Sequence, residues 1–226
     1  MHFVSKIEEA AAPTPPLYAR HSSGFRRATY VDQRVGSVHM GVGICFLDSQ
    51  GAISPHVHSF EESFYILEGE PVVRIGEASY QLSAGHFDEA QLPRPGGPSQ
   101  MEGFNPTTGV AIKMFVDRSF GAIHQSLFLI QYLPGAKIDL HDHTFEESYL
   151  IVSGRVRAQA DGKSYDLGPG DVIWTSVGCL HSFDNAGTEP VRWIETQAPL
   201  PPAKEVFRFE REWAPLAEKE KTASRA

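Results

Sequence analysis

Apolar residues along the chain fall into short runs cut by turn-forming residues, and no helical period persists beyond two turns. The runs Gly41–Leu47, Phe64–Leu67, Val72–Ile75 and Ala111–Val116 are rich in β-branched and aromatic residues and too short for helices, so each predicts a strand. Ser126–Tyr132, Tyr149–Val152, Arg155–Ala160, Val172–Thr175 and Val191–Thr196 continue the pattern. Pro134-Gly135, Asp161-Gly162 and Gly168-Pro169-Gly170 punctuate it with turns. Asp-Gly between two strand-like runs predicts a two-residue hairpin, because both turn positions require positive φ. Many short strands joined by tight turns make an all-β sandwich or barrel. Residues 1–28, with Pro13, Pro15 and Pro16, read as an irregular extended arm suited to lying along a neighbouring subunit, and 199–226 as a proline-opened, charged tail.

The pattern is written twice. His56-Val-His-Ser-Phe-Glu-Glu-Ser63 reappears as His141-Asp-His-Thr-Phe-Glu-Glu-Ser148, and the same offset holds without a gap from 54–87 to 139–172. Twelve of those 34 pairs are identical, including both histidines, both glutamates, Gly69/Gly154 and Gly85/Gly170. A self-match at fixed period signals repeated units. The expected units are 29–118 and 119–198, joined by a turn at Asp117–Phe120, too short for a flexible linker.

The shared residues are of metal-binding type. Strand residues two apart point to one face, so His141 and His143 can converge, and Glu147 can join them across the following turn. The block Gly170-(5)-Ser176-Val177-Gly178-(2)-His181-(3)-Asn185 adds a third imidazole. Three neutral imidazoles and a carboxylate suit Mn, Fe, Co, Ni or Zn. The first unit keeps His56, His58 and Glu62, but its fourth position falls at Gln100 or Met101. A facial triad of two His and one Glu, or a weaker shell completed by the Gln100 amide, is the alternative to a relic site.

Around the C-terminal set, Tyr149 shares the strand face of Glu147, where it either bonds a substrate or metal-bound water or packs in the core. Trp174 and Phe183 are candidate cavity linings. Arg155, Arg157, Gln159, Glu195 and Gln197 are polar strand residues that need partners wherever they face inward. Glu61 and Glu146 point away from the ligand face, toward solvent or an interface. Asn185 suits a bond orienting His181 or its turn. Cys45 and Cys179 are the only cysteines, too few for a disulfide framework. Cys45 reads as a buried small hydrophobe, and Cys179, beside the cavity block, as structural rather than as an oxidisable thiol.

Both blocks resemble the two motifs of the cupin superfamily, and their duplication resembles a bicupin: two tandem double-stranded β-helix (jelly-roll) barrels. The resemblance covers most of residues 40–197. It implies a divalent metal held by His141, His143, Glu147 and His181, with Mn or Fe foremost and Ni, Co or Zn as alternatives. Ser176 stands where the family usually has proline, a turn-shaping position and not a ligand. The implied function is a metal-dependent, dioxygenase-like oxidoreductase acting on a small polar or aromatic metabolite, with Glu147 and Tyr149 as catalytic candidates. Alternatives are a non-redox hydrolase or isomerase similar to ureidoglycine aminohydrolase, and a non-enzymatic small-molecule-binding cupin. Barrels of this family commonly pair, so a homodimer is expected.

Composition narrows the partners. The net charge is −8, with 20 basic and 28 acidic side chains and no basic run longer than two before the tail, which argues against nucleic acid. No apolar run approaches the roughly 20 residues that a membrane-crossing helix needs, so none is expected. The N-terminus lacks a signal-peptide pattern, and a cytoplasmic location is the expectation.

Overall fold

The computed structural model describes residues 1–85, 109–200 and 208–209. Among these the chain is all β, broken only by short 3₁₀ turns. In chain order the strands are β1 (His2–Lys6), β2 (Ser22–Val31), β3 (Val42–Ile53), β4 (Val72–Ile75), β5 (Ala78–Gln81), β6 (Val110–Val116), β7 (Ser126–Tyr132) and β8 (Lys137–Asp142). They continue with β9 (Glu146–Ser153), β10 (Val156–Ala160), β11 (Lys163–Leu167), β12 (Asp171–Thr175), β13 (His181–Asp184), β14 (Val191–Ala198) and β15 (Arg208–Phe209).

Two sheets carry the C-terminal half. One runs β1-β12-β9-β14-β7-β6, the other β11-β10-β13-β8-β15. All their pairings are antiparallel. The core lies between them. Phe128, Ile130, Tyr132, Tyr149, Ile151, Ile173 and Trp193 from the first sheet meet Val156, Ala158, Ala160, Leu167 and Phe183 from the second. Alternation along β14 explains its two roles: Val191 and Trp193 enter this core, whereas Ile194 faces outward with Leu127 and Leu129 against Tyr65 and Phe115. The hairpin at Asp161-Gly162 forms as the dipeptide predicts. Ala160 pairs with Lys163, and the two turn residues have φ of 46° and 78°.

Two sequence expectations change. Residues 1–28 are not an irregular arm: β1 pairs along β12 from His2↔Thr175 to Lys6↔Asp171, and β2 pairs with β3. Phe64–Leu67 forms no strand. In the N-terminal half the described residues form two antiparallel pairs, β2–β3 and β4–β5. Gln100 lies outside the described residues, as does Met101.

The backbone nevertheless repeats more widely than the sequence does. At the offset that relates His56 to His141, positive φ recurs at Gly24 and Gly109 (60°, 74°), Gly36 and Gly121 (95°, 89°), Gln50 and Gly135 (72°, 79°), Gly69 and Gly154 (79°, 73°), and Gly76 and Asp161 (60°, 46°). The turn after β2 is copied bond for bond after β6. The Asp32 carboxylate accepts from Arg34 N at 2.8 Å, as Asp117 accepts from Ser119 N at 2.7 Å. Ser37 N donates to Asp32 O at 3.2 Å, as Ala122 N donates to Asp117 O at 3.2 Å.

Candidate metal centre

β8, β9 and β13 bring the C-terminal candidates together. His141 and His143 leave the end of β8, Glu147 sits near the start of β9, and His181 opens β13 directly opposite His141. The ligand nitrogens of the three histidines lie within 4.8 Å of one another, and all three residues are buried. Glu147, equally buried, reaches His143 Nε2 at 3.4 Å through Oε1 and His181 Nε2 at 3.1 Å through Oε2.

Second contacts fix which nitrogen faces the centre. A backbone carbonyl can only accept, so the 2.6 Å contact of His141 Nδ1 with Asp139 O and the 2.9 Å contact of His181 Nδ1 with Cys179 O place the protons on Nδ1. Each Nε2 is then the nitrogen aimed inward, and in the neutral ring it carries the lone pair, the arrangement that orients metal-binding imidazoles. Two further donors hold Glu147. Tyr149 donates to Oε2 at 2.6 Å, Gln197 Nε2 donates to Oε1 at 3.0 Å, and Gln197 Nε2 also reaches Glu195 at 3.3 Å. Trp193 Nε1 donates to Glu195 at 3.0 Å. The donor set therefore fits a divalent transition metal: three soft-to-borderline nitrogens and one anionic oxygen, preformed and shielded from water.

Electrostatics agree with that reading. Burial, reinforced by repulsion from His181 and His143, lowers the pKa of His141 to about 3, so it stays neutral. Burial alone would raise Glu147, but His143 and His181 outweigh it and keep the carboxyl well below its usual range. Burial, then the Glu147 and Glu195 carboxylates, holds the Tyr149 phenol well above its ordinary value, so it remains a donor. His181 moves the other way. Burial lowers it, yet its bond to Glu147 and that group's charge raise it overall. Where His181 is protonated, its Nε2–H bridges to Glu147, and an incoming ion has to expel that proton. Metal affinity is therefore expected to fall about tenfold per pH unit on the acid side of the His181 titration and to level off above it. Mn(II) titrations from about pH 5 to 8 check this, and a flat profile would contradict the proton bridge.

Beside the donors is a cavity of about 30 Å³, lined by Ile130, Ile138, Phe183, Trp193, Glu195 and Gln197 among others. That is room for roughly two water-sized occupants. Phe183 lines it as expected, but Trp174 does not. The indole that does is Trp193, and with Glu195 and Gln197 it forms one inward row of β14. Arg157 turns out to the surface, where it meets Asp166 at 3.2 Å, and Arg155 is exposed as well. Asn185 does not touch His181. It ties its own turn, donating to Tyr132 O at 3.1 Å and Glu189 O at 2.9 Å.

In the N-terminal half, His56, His58 and Glu62 also lie within 4.8 Å of one another, but exposed. His56 Nδ1 contacts Ser54 O at 2.9 Å, repeating the His141–Asp139 bond, and His58 Nε2 lies 3.3 Å from Glu62. A third grouping, His2, Asp161 and Cys179, fastens β1 to the rest. His2 Nδ1 is 3.1 Å from Asp161, and Leu180 N donates to the same carboxylate at 3.3 Å. Burial and the adjacent Asp161 charge push the Cys179 thiol up to about 12, which leaves it inert at neutral pH. Cys45 is exposed, not buried. No described helix is long and apolar enough to cross a membrane.

Comparison with known proteins places these features in a family frame. The chain is 26% identical over 119 residues to the tetracenomycin polyketide synthase protein TcmJ of Streptomyces glaucescens, covering 52% of this chain and 76% of that protein. It is 30% identical over 70 residues to the polyketide synthase CurC of Streptomyces cyaneus, covering 30% of this chain and 46% of that protein, less than half its length. Among solved structures it is similar to the polyketide cyclase RemF of Streptomyces resistomycificus, at 24% identity and a TM-score of 0.39, over 45% of this chain and 74% of that one. It is also similar to the oxalate decarboxylase of Lactobacillus farciminis, at 20% identity and a TM-score of 0.40, over 46% and 32%. Residues 128–196, which contain His141, His143, Glu147 and His181, match the cupin domain family.

Proposed function

We propose that this protein is a metal-dependent, dioxygenase-like oxidoreductase acting on a small polar or aromatic metabolite at the C-terminal centre. One observation carries the reading: a buried donor set of three imidazoles and a carboxylate opens on a small cavity whose other walls are largely apolar. Such a space suits dioxygen, itself apolar, beside the oxygen atoms of a substrate. A bound Mn or Fe would supply Lewis acidity and one-electron chemistry there. The protein's own groups do the rest. His141 and His181, fixed through Nδ1, and His143 set the geometry. Glu147 would take a proton from a bound substrate at its carboxylate, and Tyr149, whose hydroxyl donates to Oε2 at 2.6 Å, holds that oxygen in place as the charge changes. Gln197 and Glu195 keep the carboxylate aimed while this happens.

The test is oxygen dependence. Metal-loaded protein given a panel of small catechols and 1,3-diketones is expected to consume dioxygen in step with substrate loss. Equal turnover under nitrogen would reject the oxygenase reading. It would favour a non-redox reaction such as hydrolysis or isomerisation, and the polyketide connection in the names of TcmJ and CurC would then direct the choice of substrates.

A further inference from the structure

Glu61 and Glu146 occupy equivalent positions of the repeat, each immediately before the glutamate of a candidate metal cluster. Both reach across to the other half of the chain. Glu146 Oε1 accepts from Val38 N at 2.8 Å, and its Oε2 from His39 N at 3.4 Å. Glu61 Oε1 accepts from Ile123 N at 2.8 Å, and its Oε2 from His124 N at 3.0 Å. Val38 and His39 are the repeat equivalents of Ile123 and His124. The contact is therefore isologous within a single chain: the same carboxylate grips the same turn in both directions, atom for atom. The halves are not identical. Ser37 adds its hydroxyl to Glu146 Oε2 at 2.5 Å, where the other turn has Ala122.

We propose that Glu61 and Glu146 form a reciprocal latch, through which each half of the chain positions the metal-ligand glutamate of the other. The C-terminal arm of the latch is the stronger. Glu146 and Ser37 are 2% and 3% exposed, so a desolvated carboxylate depends on these donors. Glu146 and Glu147 share a peptide plane on β9 and face opposite ways, paired with Ala198 and Gln197 of β14. Glu146 docks outward on the 37–39 turn while Glu147 points inward to His143 and His181. Moving the first carboxylate off its turn rotates the peptide that aims the second. Glu146 is thus a positioning residue, and a turn from the other half of the chain becomes part of the metal centre's support.

This inference rests on Glu147 as a metal ligand, and its test reads metal binding without turnover. Full-length Glu146→Gln and Ser37→Ala proteins are titrated with Co(II), following affinity and the visible ligand-field spectrum, with thermal melts alongside. The amide of Glu146→Gln cannot accept at both positions, so Co(II) binding is expected to weaken about tenfold with an altered spectrum, the scale on which groups behind metal ligands act. Ser37→Ala keeps both backbone bonds and is expected to weaken binding several-fold, which keeps the test informative if Glu146→Gln does not fold. Wild-type affinity and spectrum in whichever variant folds would overturn the latch, even if the melts drop. The oxygenase reading stands or falls separately, on oxygen consumption.

Discussion

Replacing His181 with alanine is expected to strip the C-terminal centre of its metal. His181 Nε2 lies 3.1 Å from both Glu147 Oε2 and Tyr149 Oη, so its loss removes a donor and also slackens the carboxylate. Four-ligand structural zinc sites bind their ion with about 10–16 kcal/mol; on that scale one donor of four accounts for roughly 3 kcal/mol, a loss of two orders of magnitude or more in affinity. Elemental analysis after dialysis should find the wild-type ion gone from His181→Ala and any catalysis gone with it. His181→Gln, which keeps bulk and polarity at this buried position, separates metal loss from misfolding. The matching change in the other half, His56→Ala, should leave the C-terminal ion in place. If wild-type protein carries about two ions per chain and His56→Ala one, then His56, His58 and Glu62 hold the second. Full metal retention by His181→Ala would reject the assignment of the centre.

The grouping of the candidate ligands was legible in the sequence largely because most of its constraints are local. His141 and His143 two apart and Glu147 across one turn need only strand periodicity to converge, and the repeat at His56, His58 and Glu62 showed that the spacing was not accidental; His181, on a separate strand, was singled out by the resemblance of its own block to a second cupin motif. The Asp161-Gly162 hairpin was legible for the same reason. What pattern reading missed depends on distant partners. Which row of β14 faces inward is not set by alternation alone; Trp193 settles it by packing against Tyr132 and Phe183 at centroid distances of 4.7 and 5.2 Å, and Glu195 and Gln197 follow at the same parity. The outward direction of Glu146 followed from alternation, but its burial did not, because the turn that covers it lies at residues 37–39. The pairing of β1 with β12 likewise joins segments far apart in the chain, and nothing within His2–Lys6 announces that its partner is Asp171–Thr175.

The repeated glycines Gly69 and Gly154 look alike in sequence, yet substitution should separate them sharply. Both hold left-handed backbone, at φ of 79° and 73°, so alanine is strained at either by about 1–2 kcal/mol. At Gly69 nothing lies within 4 Å of an added Cβ, and that strain is the whole cost. At Gly154 the Cβ would stand 2.4 Å from Pro190 O and 2.8 Å from Val191 Cα, both backbone atoms at the entry to β14. No rotamer relieves such a clash; β14 itself must shift, and with it Trp193, Glu195 and Gln197 on the cavity wall. Gly154→Ala is therefore expected to cost about 3–5 kcal/mol in all, roughly 6–20 °C in melting temperature, against a few degrees for Gly69→Ala. Because Gln197 bonds Glu147 at 3.0 Å, the Gly154 variant should also bind metal more weakly at temperatures where it is still folded, whereas the Gly69 variant should leave the C-terminal affinity unchanged. Paired melts and Co(II) titrations of the two variants decide the matter. Equal losses would mean that β14 does not approach Gly154 as closely as this packing requires, and that the shared glycine serves only a turn in both halves.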